Sequence, residues 1–137
     1  MLTNDKNLHA IIIEDNKIFR FVFGNLLKGY GPQNIAITEF ENGVDLLTHL
    51  EQEDEGLDAD FLFLDLNMPF LSGWELLDKL YPYLGKKLGQ PKIFIISSSI
   101  SRLDQDNLKN YPFVNGYISK PFTKKFLFDL LDKELSA

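Results

Sequence analysis

The stretch FLFLDLNMPFLSG, residues 61–73, passes from four consecutive apolar residues to a lone acid, Asp65, and then through Pro69 to Gly73. Phe61 to Leu64 is too short for a helix and apolar at every position, the pattern of a strand buried on both faces. Pro69 and Gly73 mark a loop. Ser72 and Glu75 stand three apart, the spacing of a capping box, so a helix is expected to run on through Trp74, Leu77 and Leu80. A buried strand that ends on an acid and leads through a loop into a helix is half of a βαβ unit.

The same order recurs on both sides of this stretch. Before it, His9 to Ile13 is an apolar run ending in Glu14 and Asp15. Ile18, Phe19, Val22, Phe23, Leu26 and Leu27 follow at helical spacing, closed by Gly29, Gly31 and Pro32. Ile35 to Phe40 alternates as a strand does, and Val44, Leu47 and Leu50 predict a second helix with a solvated exit over Glu51 to Glu55 and Gly56. After it, Gly85 to Pro91 is a connector and Ile93 to Ile96 a fourth strand, ending in Ser97, Ser98 and Ser99. Asp104 to Lys109 reads as a short helix. Gly116 to Ser119 reads as a fifth strand, ending at Lys120 and Pro121. Thr123 is placed to cap a last helix bearing Phe126, Leu127, Leu130 and Leu131.

Five strand–helix units predict an α/β fold, a five-stranded parallel sheet with helices on both faces and right-handed crossovers. Residues 1–7 read as a flexible N-terminus and residues 8–137 as one domain, a size that suits 137 residues with 45% hydrophobic content. The absence of cysteine excludes disulfides, thiolate metal sites and a thiol nucleophile. No apolar run approaches the ~20 residues of a membrane span, and no charged start leads into one, so neither membrane insertion nor a signal peptide is expected. A net charge of −6 disfavours direct nucleic-acid binding.

Chemistry collects at the strand ends. The first strand ends in Glu14 and Asp15, the third in Asp65, the fourth in Ser97 and the fifth in Lys120. In a parallel sheet these groups meet at one edge, where ligands of such folds bind. Crowded carboxylates take up protons or bind a cation. Oxygen ligands without histidine or cysteine favour Mg²⁺, which readily bridges carboxylate and phosphate. A lysine beside them neutralises phosphoryl charge. The set suits phosphoryl chemistry on an aspartate nucleophile.

From about His9 to Leu135, the sequence resembles the receiver domain of bacterial two-component response regulators. The resemblance is carried by Glu14–Asp15, by Asp65-Leu-Asn-Met-Pro69 with Gly73, by Ser97 and by Lys120–Pro121. It implies a doubly wound, flavodoxin-like (βα)5 fold with strand order 2-1-3-4-5. It implies Asp65 as phosphoacceptor and a Mg²⁺ ion held by Asp15, Asp65 and the Asn67 backbone carbonyl, with Glu14 ligating through water. Lys120 would pair with a phosphoryl oxygen, and the Ser97 hydroxyl would bond the phosphoryl group, with Ser98 as the alternative. Tyr117 stands at the position of a switch aromatic, although it also suits a half-buried strand residue. The Lys120–Pro121 bond is usually cis in the family. Glu–Asp replaces the commoner Asp–Asp pair, and the Ser97–Lys120 interval is slightly long, which an enlarged Asn110–Asn115 loop could absorb.

The resemblance further implies a histidine kinase or histidine phosphotransfer protein as donor, docking near the first helix and the Asp65 loop. Readout falls to a downstream partner on the fourth helix, fifth strand and fifth helix. A cytoplasmic, single-domain monomer or weak dimer with no output module is expected, acting as a switch rather than an enzyme. A phosphatase resembling the haloacid dehalogenases is the alternative, but its second acid would fall at Asn67, which cannot donate as a carboxylic acid does. A pseudo-receiver that binds partners without phosphorylation is a third reading. His9 and His49 read as structural or surface residues, and Trp74 as a neighbour of the site.

Overall fold

The computed structural model describes residues 7–31, 33–52 and 55–136. The strands are β1 (Asn7–Ile13), β2 (Asn34–Phe40), β3 (Phe61–Asp65), β4 (Lys92–Ser97) and β5 (Val114–Ser119). The helices are α1 (Lys17–Lys28), α2 (Gly43–Gln52), α3 (Gly73–Leu80), α4 (Arg102–Asn107) and α5 (Lys124–Ser136). Short 3₁₀ turns follow α3 at Tyr81–Tyr83 and α4 at Leu108–Asn110. The strands pair in parallel in the order β2-β1-β3-β4-β5, as expected for the doubly wound fold. Among the described residues no helix is long and apolar enough to cross a membrane.

The central strands are apolar throughout because each face of the sheet has its own core. Ile11, Ile13, Leu62, Leu64, Ile93 and Ile95 turn to one side and meet Leu46, Leu47 and Leu50 of α2 and Leu76, Leu77 and Leu80 of α3. Ala10, Ile12, Phe61, Phe63, Phe94 and Ile96 turn to the other and meet Phe23 and Leu27 of α1 and Leu127 and Leu131 of α5. Side chains alternate between faces along a strand, so one run supplies both cores. Each fully buried Leu or Phe contributes about 1.5–3 kcal/mol of transfer free energy. The chain winds from β1 to β2 in one direction and from β3 to β5 in the other, which opens a crevice beyond the ends of β1 and β3.

Local signals explain the element ends. Asn16 caps α1 by accepting from the Phe19 N–H, and Ser72 with Glu75 forms the expected capping box at α3. Ser101 and Asp104 form a second capping box, so α4 begins at Arg102 rather than at Asp104. Thr123 accepts from Phe126 N–H at 3.0 Å at the start of α5, as expected.

Other expectations need correction. Asn7 belongs to β1 rather than to a flexible terminus; residues 1–6, Pro32 and residues 53–54, also covered by sequence expectations, lie outside the described residues. Ile18 and Val22 of the α1 stripe are exposed, as are Val44 and Phe126. These apolar sets span more of each helix than the sheet can cover. β5 starts at Val114, and its register against β4 shifts between Ile93 and Phe94. Asn115 occupies the bulge, and its Oδ1 accepts from Ile93 N–H at 2.9 Å. One residue of the Asn110–Asn115 segment is thus taken up as a bulge inside the strand.

Candidate functional site

The ends of β1, β3 and β5 supply the charged groups. Glu14 follows β1 and is buried, with each of its polar groups engaged. Its N–H donates to the Phe40 carbonyl at 3.1 Å, and its carbonyl accepts from Arg20 Nη1 at 2.6 Å. Its Oε2 accepts from the Asn16 N–H at 3.1 Å, and its Oε1 from Lys120 Nζ at 2.5 Å. Burial pushes the Glu14 carboxyl up to about 7; the hydrogen bonds from Lys120 and Asn16 pull it down, and the nearby Asp65 charge adds to the rise.

Asp65 closes β3 and is buried, while Asp15 is exposed at the mouth of the crevice. Asp65 Oδ1 accepts from the Asn67 N–H at 3.1 Å, and its Oδ2 lies 3.4 Å from Lys120 Nζ. Glu14, Asp15 and Asp65 each present a carboxylate oxygen within 4.8 Å of the other two. Three carboxylates this close, with one ammonium among them, are an electrostatic burden that a divalent cation relieves. All the donors are hard oxygens, so the set fits Mg²⁺. Asn67, whose backbone carbonyl is the further expected ligand, is exposed in the adjoining loop.

Lys120 is placed by its backbone as well as by its charge. Its N–H donates to the Ser97 carbonyl at 2.9 Å, and its peptide bond to Pro121 is cis, as the resemblance implied. Its Nζ lies 4.1 Å from the centroid of the Phe19 ring, a cation–π contact. The β3–α3 loop closes tightly behind Asp65. Gly73 N–H donates to Leu66 O at 2.9 Å, and a Cβ on Gly73 would stand 2.8 Å from Leu66 Cα. Only glycine allows that approach.

The structure thus brings Glu14, Asp15, Asp65 and Lys120 together. Ser97 ends β4 fully buried, but its hydroxyl donates to the Ser99 carbonyl at 2.9 Å, within its own loop. Ser98 is exposed. Tyr117 faces outward and lines a cavity of about 530 Å³ with Ser119, Pro121, Phe122, Thr123 and Phe126. His9 is structural: its Nδ1 is 2.6 Å from Leu57 O and its Nε2 2.7 Å from Thr38 Oγ1.

Sequence reasoning missed Arg20 and Phe19. Arg20 clamps the Glu14 carbonyl while its Nε pairs with Glu39 at 3.0 Å. A lone cation inside the apolar α1 stripe was the available signal. Trp74 donates its indole N–H to Asp104 of α4 at 3.2 Å.

Comparison with known proteins agrees with this geometry. The sequence model of the response regulator receiver domain matches residues 10–132. Chemotaxis protein CheY-3 of Vibrio cholerae is 32% identical over 129 residues, which cover 94% of this chain and 92% of the relative. Among solved structures, the response regulatory domain of protein mrkE from Klebsiella pneumoniae superposes with a TM-score of 0.72 at 23% identity, over 94% of this chain and 96% of that one. A CheY-like receiver domain from Methanospirillum hungatei gives 0.72 at 19% identity, over 96% and 95%. These structural likenesses speak to the fold.

Proposed function

Because this chain belongs to the response regulator receiver domain family, we propose that it is a phosphoacceptor switch of a two-component system that takes a phosphoryl group on Asp65 and signals through partner docking. The observation that carries this reading is the meeting of three carboxylates and Lys120 at one sheet edge. The donor is a histidine kinase or a histidine phosphotransfer protein. An Asp65 carboxylate oxygen attacks phosphorus; a P–O bond forms as the donor's P–N bond breaks, and the imidazole leaves with a proton. Lys120 sits beside Asp65 and offsets the charge of the transferred oxygens.

The residues that would hold Mg²⁺ are Asp15 and Asp65 directly, the Asn67 backbone carbonyl, and Glu14 through water. When bound, the ion supplies neutralisation of phosphoryl charge as the bond to Asp65 forms. Glu14 orients Lys120 and is itself fixed by Arg20 and Asn16.

The Ser97 hydroxyl, buried at the end of β4, leaves its bond to Ser99 for the phosphoryl group. Tyr117 then turns inward from the cavity it lines with Phe126, and the face of α4, β5 and α5 changes shape for a downstream partner. Such a switch shifts a balance between two existing conformations. The donor docks on exposed apolar residues beside the crevice: Ile18 and Phe21 on α1, 77% and 66% exposed, and Phe70 of the β3–α3 loop, 81% exposed. A cytoplasmic location goes with this role.

Asn67 and the receiver family argue against the phosphatase alternative, and the complete acid set argues against a pseudo-receiver. Incubation with Mg²⁺ and acetyl phosphate tests the reading by intact mass. One added phosphoryl group, which does not form when chelator is present from the start, supports it. Release of phosphate from small esters without an adduct would favour the phosphatase, and no adduct at all the pseudo-receiver.

A further inference from the structure

Away from the acidic crevice, four aromatic side chains form a continuous ladder along α3 and the segment leading into β5. Trp74 lies 5.1 Å from Tyr111 between ring centroids, Tyr111 5.9 Å from Phe113, and Phe113 5.3 Å from Tyr81. Two depressions of about 470 and 380 Å³ run over this ladder and meet at Asn110. Leu103, 80% exposed on the first turn of α4, lines the first beside Trp74. Tyr81, 62% exposed, lines the second with Tyr111 and Phe113. Trp74, Tyr111 and Phe113 are half-buried against the core, and with Leu103 and Tyr81 exposed at the two ends the ladder marks an interaction surface.

The charged residues that line the two depressions are acidic, while Lys79, Arg102 and Lys109 are their neighbours in the chain and stand outside the lining. Asp104 and Asp106 line the first depression and Asp78 the second, and no lysine or arginine lines either. Two of these acids are tied to the ladder: Trp74 Nε1–H donates to Asp104 at 3.2 Å and the Tyr111 hydroxyl to Asp78 at 3.0 Å. The bonds hold rings and carboxylates in fixed relation, which lowers the ordering cost of binding. The nearest ion pair, Lys109 to Asp106 at 4.0 Å, is exposed at both ends and contributes little, so a partner's cation can displace it.

We propose that the groove between α3 and α4 docks a cationic amphipathic segment of a partner protein, its apolar side chains against Trp74, Leu103 and Tyr81 and its lysines or arginines toward Asp78, Asp104 and Asp106. Charge complementarity selects this occupant. A second copy of the chain carries the same net charge of −6 and is disfavoured. The groove shares no lining residue with the β5–α5 cavity.

The test uses the isotope-labelled protein and a synthetic helix-forming peptide with leucines on one face and lysines around them, beside a counterpart with glutamate for lysine. Trp74, the single tryptophan, reports binding by emission, and amide shifts map it. The expected result is salt-sensitive binding of the lysine peptide alone, with shifts concentrated over residues 74–81 and 103–113. Leu103→Ser and Asp106→Lys, both at exposed positions, should each weaken it by about tenfold or more. Asp65→Asn should leave it unchanged, which separates this proposal from the phosphoacceptor reading. Shifts centred on α1 or α5, equal binding of the acidic counterpart, no binding, or indifference to both groove substitutions would overturn it. So would sedimentation showing a dimer that Leu103→Ser dissolves, because the groove would then belong to a second copy.

Discussion

The ammonium of Lys120 lies 2.5 Å from Oε1 of Glu14, closer than its 3.4 Å to Oδ2 of Asp65. One cation therefore spans the acids at the ends of two neighbouring strands and leans toward the one not proposed to carry the phosphoryl group. Asp65 is left with a looser hold on Lys120 and one firm backbone bond from Asn67.

Replacing Lys120 should accordingly separate phosphoryl transfer from metal binding. Lys120→Gln keeps all three carboxylates, so Mg²⁺ binding measured by calorimetry should persist. The rate of phosphorylation by acetyl phosphate should fall by about 10²-fold, the usual loss on removing one preorganised charge-stabilising group. An unchanged rate would remove Lys120 from the chemistry.

Glu14 should impose a pH dependence on the stability of the metal-free protein. Burial raises its folded-state carboxyl from 4.5 to about 7. The folded protein thus holds a proton that the unfolded chain releases, so this contribution is complete below about pH 4.5 and is lost as pH rises through about 7. Denaturant unfolding in chelator at about pH 5 and about pH 8 should show a loss on the order of 2 kcal/mol on going up. Glu14→Gln should flatten that difference; equal pH dependence in both proteins would contradict the assignment.

Gly73→Ala should damage the loop behind Asp65. The added methyl meets Leu66 Cα at 2.8 Å and Leu64 Cδ1 at 2.9 Å, so backbone as well as side chain must move. A cost of about 1–3 kcal/mol in unfolding free energy is expected, together with slower phosphorylation, since Asn67 and its bond to Asp65 ride on the same loop. A variant as stable and as fast as the parent would show that the loop tolerates the shift.

Much of this was legible because a parallel sheet converts sequence into place. Acids at the ends of β1 and β3 and a lysine after β5 must meet at one edge, whatever the side chains between them do. The order of the elements and the capping box of Ser72 and Glu75 were legible for a similar reason, since both are set by residues near in sequence. Four features were not. The exposure of Ile18 and Val22 depends on how much of α1 the sheet covers, which spacing cannot tell. The bulge at Asn115 depends on a side-chain bond to a different strand, at Ile93 N–H. The direction of the Ser97 hydroxyl, toward Ser99 O, is a choice among local acceptors with similar energies. Arg20 and Phe19 lay within a stripe that reads as core, and only the folded chain brings them to Glu14 and Lys120.

The aromatic side of the sheet should bear a large share of stability. Phe63 is fully buried in the central strand, with ring centroids at 4.9 Å from Phe23, 5.8 Å from Phe61 and 6.0 Å from Phe94. Phe63→Ala should cost about 3–5 kcal/mol in chemical unfolding. A loss under about 1 kcal/mol would mean that the core collapses into the space without penalty.

The phosphoacceptor assignment is tested most directly by trapping the adduct. Protein treated with Mg²⁺ and acetyl phosphate is reduced with borohydride, which converts an aspartyl phosphate to homoserine, and its peptides are sequenced by mass spectrometry. Homoserine at position 65, and its disappearance in Asp65→Asn, is the result expected. Homoserine at another acid, or none in a protein whose Mg²⁺ binding is intact, would contradict the account.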